Sequence, residues 1–145
     1  MRKTVLLICF AMVCCNIFAD NDRIITVGEL PAEAQNFIKK YFETNEVSYA
    51  KVEDKLFDRK NYEVVFVDGS KVEFNKQGEW KEINCKFKEI PAGIVPQKIV
   101  DYVKVNFLNC KIIEIDRNSR DYEIHLSNDI ELKFDLSFNL IDIDD

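Results

Sequence analysis

The chain has 145 residues, with 20 Lys and Arg against 26 Asp and Glu and a formal net charge of −6. An acidic balance argues against nucleic acid and against anionic membrane as partners, because both are held by clustered cations. The length suits one ordinary domain with a real core.

Residues 1–19 read as a secretory leader. Arg2 and Lys3 make a basic start, Val5 to Val13 (VLLICFAMV) an apolar run, and Ile17-Phe18-Ala19 a cleavage point before Asp20. The run is shorter than the ~20 residues that span a bilayer. Acylation at Cys14 or Cys15 is the weaker option, since Met12-Val13 lacks the small residue such a site wants. The expected mature domain is 20–145, periplasmic or secreted, with 18 basic against 26 acidic residues and a net charge of −8. Such a surface suits a basic protein partner or divalent cations, and it also keeps exported proteins dispersed.

Cys9, Cys14 and Cys15 leave with the leader, and Cys85 and Cys110 remain, one in each half. In an oxidising compartment such a pair is a disulfide candidate, with two half-buried free thiols as the alternative. Neither has a His or a second Cys at ligand spacing.

The dominant pattern is internal repetition. Leu30-Pro31-Ala32 recurs as Ile90-Pro91-Ala92, Tyr62-Glu63-Val64 as Tyr122-Glu123-Ile124, and Val72-Glu73-Phe74 as Leu132-Lys133-Phe134, each at a spacing of 60. A repeat of this length is a whole supersecondary unit used twice. We place the first copy at about 28–86 and the second at about 88–145.

In the first copy Pro31 opens a helix whose apolar stripe is Ala34, Phe37, Ile38, Tyr41 and Phe42. Strands follow at Glu46–Glu53, Tyr62–Val67, Lys71–Asn75 and Glu79–Cys85, with Asp54 to Asn61 a polar loop and Asp68-Gly69 a hairpin turn. In the second copy Pro96 starts a helix with Ile99, Val103 and Phe107 in its stripe. Its strands are Lys111–Asp116, Tyr122–Ser127, Ile130–Asp135 and Leu140–Asp144, and Asn128-Asp129 replaces the glycine turn.

Strand alternation sorts the side chains onto two faces. Tyr62, Val64, Phe66, Val72 and Phe74, with Tyr122, Ile124, Leu126, Leu132 and Phe134, form the face for the helices to cover. On the last strands the alternation puts Lys81, Ile83, Ile141 and Ile143 inward, and Trp80, Glu82, Leu140 and Asp142 outward. It also puts Ile113 and Ile115 inward, with Val47 and Tyr49 outward. The open face then carries Tyr49, Val65, Val67 and Trp80 in the first copy, and a charged set around His125 in the second. Partly exposed aromatics rimmed by charge are typical of protein-binding surfaces, so these five residues are the candidate partner-binding set. The competing reading packs Trp80 over a sheet edge or under Ile24–Val27.

Catalysis finds little support. His125, the single histidine, has Glu123 beside it on the strand and Glu131 across the hairpin, but no nucleophile. There is no phosphate loop or nucleophile elbow. Calcium is the alternative, through acidic stretches at Glu53-Asp54…Asp58 and Asp142…Asp144-Asp145, although neither matches the spaced calcium-loop pattern.

The paired Leu/Ile-Pro-Ala helix starts, the Tyr-Glu-Val…Asp-Gly-Ser-Lys-Val-Glu-Phe hairpin and the Gly-Glu-Trp-Lys-Glu-Ile segment resemble the PepSY-like, beta-lactamase-inhibitor-like family of exported Bacteroidetes proteins. The resemblance covers about residues 28–145. It implies an α+β fold of two tandem α-β-β-β-β repeats, forming one curved antiparallel sheet with both helices on one face. It further implies a non-enzymatic periplasmic protein, sometimes proposed to inhibit hydrolases or to respond to calcium. It supplies no site motif. The expectation is a non-catalytic module without a cofactor, calcium aside, that binds a protein or peptide through the open face, and neither nucleic acid nor membrane.

Overall fold

The computed structural model describes residues 22–55 and 59–145. The expected leader, its three cysteines and Asp58 lie outside these. One antiparallel sheet takes its strands in chain order: β1 (Asp22–Ile25), β2 (Val47–Lys55), β3 (Arg59–Phe66), β4 (Lys71–Phe74), β5 (Trp80–Asn84), β6 (Ile112–Arg117), β7 (Asp121–Leu126), β8 (Glu131–Asp135) and β9 (Leu140–Asp144). Helix α1 (Ala32–Tyr41) lies between β1 and β2 in sequence, and α2 (Gln97–Asn106) between β5 and β6. No described helix is long and apolar enough to cross a membrane.

Each helix starts directly after a proline, Pro31 or Pro96, whose ring presets its φ near −50°. The stripes expected from spacing are the buried ones: Ala34 and Ile38 in α1, Ile99 and Val103 in α2. Phe37 meets Phe74 edge-on at 5.8 Å, and Tyr102 meets Phe134 edge-on at 5.5 Å. Directly paired residues of neighbouring strands share a face. One row can therefore be followed across all nine strands: Ile25, Ala50, Val64, Val72, Ile83, Ile115, Ile124, Leu132 and Ile143. Phe74 and Phe134 are two residues from Val72 and Leu132 on the same strands, so both helices cover this one face. All of the row except Ile143 on the edge strand is buried, and it is the floor of the core.

The structure adds three things to the sequence reading. Strand β1 was not expected; it pairs with β2 and buries Ile25 at the sheet edge. The expected polar loop 54–61 is largely strand, since β2 and β3 stay in register out to Lys55 and Arg59. The Asn128-Asp129 turn is as tight as its glycine counterpart: Asp129 takes φ +67°, and its N–H donates to Leu126 O at 3.1 Å, as Gly69 donates to Phe66 O at 2.9 Å. Asp tolerates that left-handed conformation better than most residues.

Bulges correct the face assignments. Register shifts occur between Val47 and Tyr49, at Glu73/Phe74, between Ile112 and Glu114, and at Lys133/Phe134. An inserted residue flips the alternation beyond it. Val47 therefore sits opposite Phe66, on the helix side. Ile112 replaces Ile113 as the inward residue. Trp80 and Leu140 sit opposite Phe74 and Phe134 and face the helices, while Lys81 and Ile141 are the extra, exposed residues.

Candidate functional site

Among the described residues no helix covers the second face of the sheet. One row across it reads Ile24, Lys51, Glu63, Glu73, Glu82, Asp116, Glu123, Lys133, Asp142. The next reads Tyr49, Val65, Lys71, Asn84, Glu114, His125, Glu131, Asp144. Its cations are shared. Lys51 reaches Asp22 at 3.0 Å, Glu53 at 2.9 Å and Glu63 at 3.6 Å. Lys71 bridges Glu73 at 3.1 Å and Glu82 at 2.8 Å, and Lys133 holds Glu123 at 2.7 Å. These bonds hold the Lys51 and Lys71 ammonium groups protonated well above their ordinary range. Acids outnumber bases in both rows, so the face is negative on balance.

At its centre three metal-ligating side chains converge. Glu114 and Asp116, two apart on β6, point the same way. The bulge at Ile113 sets Glu114 directly across from His125 on β7. Donor atoms of Glu114, Asp116 and His125 all lie within 4.8 Å of one another. Asn84 Nδ2 donates to Glu114 Oε2 at 2.6 Å, and Glu131 Oε2 stands 3.7 Å from His125 Nε2. The Asp116 carboxylate makes no hydrogen bond or ion pair with any described residue. Its burial, and then the charges of Glu82 and Glu114, push its carboxyl up to about 7, with His125 pulling the other way. Burial raises Glu114 too.

Ionising Asp116 therefore works against folding. The native chain keeps this proton between an unfolded value near 3.8 and about 7, so stability falls as pH rises through that window. Asp116→Asn in chelator-treated protein is expected to be about 1–2 kcal/mol more stable than wild type at pH 8, after discounting for solvent screening. In urea titrations the gain shrinks towards zero by about pH 4. A variant that matches wild type at pH 8 would refute this account of Asp116.

The candidate residues divide. Tyr49, 40% exposed, and Val65 are cross-strand neighbours on the open face, and Val67, 70% exposed, continues that side beyond β3. His125 belongs to the same row, several strands away. Trp80 does not join them: it packs against the core on the helix side. There the Arg117 guanidinium lies 4.1 Å from its ring centroid, and Arg117 Nη2 donates to its carbonyl at 2.7 Å. Beside them a groove of about 610 Å³ is lined by Lys60, Lys81 and Asn118 among others. Sequence reasoning missed Asp116 and Arg117. An acid-x-acid strand followed by a strand with the single His was the available signal for the first.

The two cysteines are free thiols and form no bridge. Cys85 is buried, with its thiol pushed up to about 11 by that burial, whereas Cys110 follows the end of α2 and its thiol points to Leu108 O at 3.8 Å. Of the acidic stretches, Glu53 is tied to Lys51 and Asp54 lies 3.6 Å from Lys60. Asp142 and Asp144 stand on the edge strand β9.

An open-faced α+β domain of this kind offers a broad, rigid, charged surface rather than an enclosed cleft. The chain belongs to the PepSY-like family: the family model described as "Putative beta-lactamase-inhibitor-like, PepSY-like" matches residues 60–142. Three solved structures are similar over nearly their whole length. One, described as a putative periplasmic protein of the DUF2874 family from Bacteroides vulgatus, is 47% identical, with a TM-score of 0.82 over 88% of this chain and 99% of its own. A second, described as a putative calcium-regulated periplasmic protein from Bacteroides thetaiotaomicron, is 48% identical, with a TM-score of 0.83 over 88% and 99%. A third, a putative periplasmic protein of unknown function from Bacteroides vulgatus, is 38% identical, with a TM-score of 0.79 over 86% and 99%. Among curated proteins none matches. The compartment in these descriptions, the periplasm, is one of the two expected from the sequence, periplasmic or secreted.

Proposed function

We propose that this periplasmic protein is a non-catalytic binding module that takes a basic protein or peptide on its open sheet face. The observation that carries this reading is the uncovered face itself. Nine strands at about 4.8 Å spacing make a surface about 38 Å wide, and its charges are ordered by shared lysines instead of left to solvent. Tyr49 and Val65 supply an apolar anchor beside the acidic rows, the combination that interface cores and rims use. Inhibition of a hydrolase, which the family description suggests, is one use of such a face.

The same reading treats the two α-β-β-β-β stretches as copies of one unit. Their bulges, edge-on aromatic pairs and turn hydrogen bonds recur at offsets of 60 or 65 residues.

The test is capture from periplasmic extract by protein 20–145. Tyr49→Ala with Val65→Ser is expected to weaken capture at least ~10-fold, about 1.4 kcal/mol or more. Val105→Ser on α2 should leave it unchanged, and added salt should weaken binding to wild type. Equal capture by the double variant, still folded, sinks the proposal. The calcium alternative draws on the described nature of one solved relative and on the acidic strand ends. A melting curve unmoved by millimolar calcium removes it.

A further inference from the structure

We propose that Glu114, Asp116 and His125 form a binding site for one divalent metal ion of the zinc class, a property separate from partner binding. The three donors lie within 4.8 Å of one another and come from adjacent strands of a hydrogen-bonded sheet, which fixes their spacing more firmly than loops would. Three protein donors leave a fourth position of a tetrahedral ion for water. Around them Asn84 donates to Glu114 at 2.6 Å, the kind of outer hydrogen bond that orients ligands in metal sites, and the Glu131 carboxylate stands 3.7 Å from His125.

Two further observations set this cluster apart from ordinary surface acids. In its cross-sheet row Glu63, Glu73, Glu82 and Glu123 each have a lysine partner; Asp116 and Asp142 have no ion pair among the described residues, and of these two Asp116 is half-buried while Asp142 is exposed on the edge strand. Nor does the fold require the three donors. The corresponding positions in the first half, at offsets of 65, 65 and 60, are Tyr49, Lys51 and Val65, on the same bulged strand pair. Those residues serve the sheet without a single pair of ligands. The ion class follows from the imidazole: calcium and magnesium take oxygen donors, whereas a nitrogen beside two carboxylates suits zinc and its neighbours.

The test uses tag-free protein 20–145, stripped with chelator and titrated calorimetrically with zinc chloride near pH 7.5. One ion per chain is expected, with cobalt(II) giving visible absorption bands from the same site. His125→Gln and Asp116→Asn, each checked for wild-type circular dichroism, are expected to weaken zinc binding at least ~10-fold and to lose the cobalt spectrum. Glu114→Gln is the second variant if either misfolds. Cys110→Ser should bind as wild type, and millimolar calcium should not displace zinc. Unchanged zinc affinity in His125→Gln and Asp116→Asn, loss of binding in Cys110→Ser, or displacement by calcium would each overturn the site.

Discussion

Phe74→Ala is expected to remove about 3–5 kcal/mol of folding stability, the range for emptying a fully buried Phe position. For a domain of this size that is roughly 10–20 °C in melting temperature. Phe74 is 0% exposed and lies at the junction of three elements: Phe37 of α1 meets it edge-on, and Tyr62 and Trp80 stand opposite it on β3 and β5. The sheet is stiff there, so little can collapse into the space. Phe134→Ala should cost a similar amount, because Tyr102 rests on that ring in the same way. Phe87→Ala is the control, since at 90% exposure its loss should stay within about 0.5 kcal/mol. Urea unfolding of the three variants checks this. A Phe74→Ala loss no larger than that of Phe87→Ala would show that α1 does not depend on the ring.

Gly78→Ala is the second large effect, expected at about 2–4 kcal/mol from strain and clash together. Gly78 has φ +88°, and a Cβ there would lie 2.8 Å from Pro31 Cβ and 2.9 Å from the Ala34 backbone nitrogen. Neither can yield like the end of a flexible side chain, so α1 itself must shift. Gly69→Ala separates the two contributions. Gly69 has nearly the same φ, +84°, but its nearest neighbours are Lys86 side-chain atoms at 3.9 Å, so only strain remains, about 1 kcal/mol. Equal midpoints for the two variants in urea would show that α1 does not press on the turn.

The periodic parts of this fold were legible in the sequence and the irregular parts were not. Helix stripes, hairpins and the apolar row follow from spacing, because burial on one face leaves a period that residues such as Val64 and Ile124 display directly. Bulges leave no such trace. One inserted residue in β5 sends Trp80 to the helix side, and one in β2 does the same for Val47, since each reverses the faces beyond it. Strand β1 was hidden because Asp22 and Arg23 look like an unstructured start, and only pairing with β2 makes Ile25 a core residue. The central cluster lay halfway between. Of its residues His125 was a candidate and Asp116 was missed, and their approach depends on the Ile113 bulge, which turns an offset pair into Glu114 facing His125. Arg117 could not have been found, because the Trp80 ring it covers was expected on the other face.

The strand order bears on how the molecule is made. Among the described residues each hydrogen-bonded strand pair joins strands that follow one another in the chain, from β1–β2 to β8–β9, with a helix intervening only before β2 and β6. Loop closure is cheap at the hairpins, with longer closures only over α1 and α2, and pairing between chain neighbours favours quick β formation. A chain made from its N-terminus can add one strand at a time to a growing edge. The unpaired strand edges that invite aggregation are then brief.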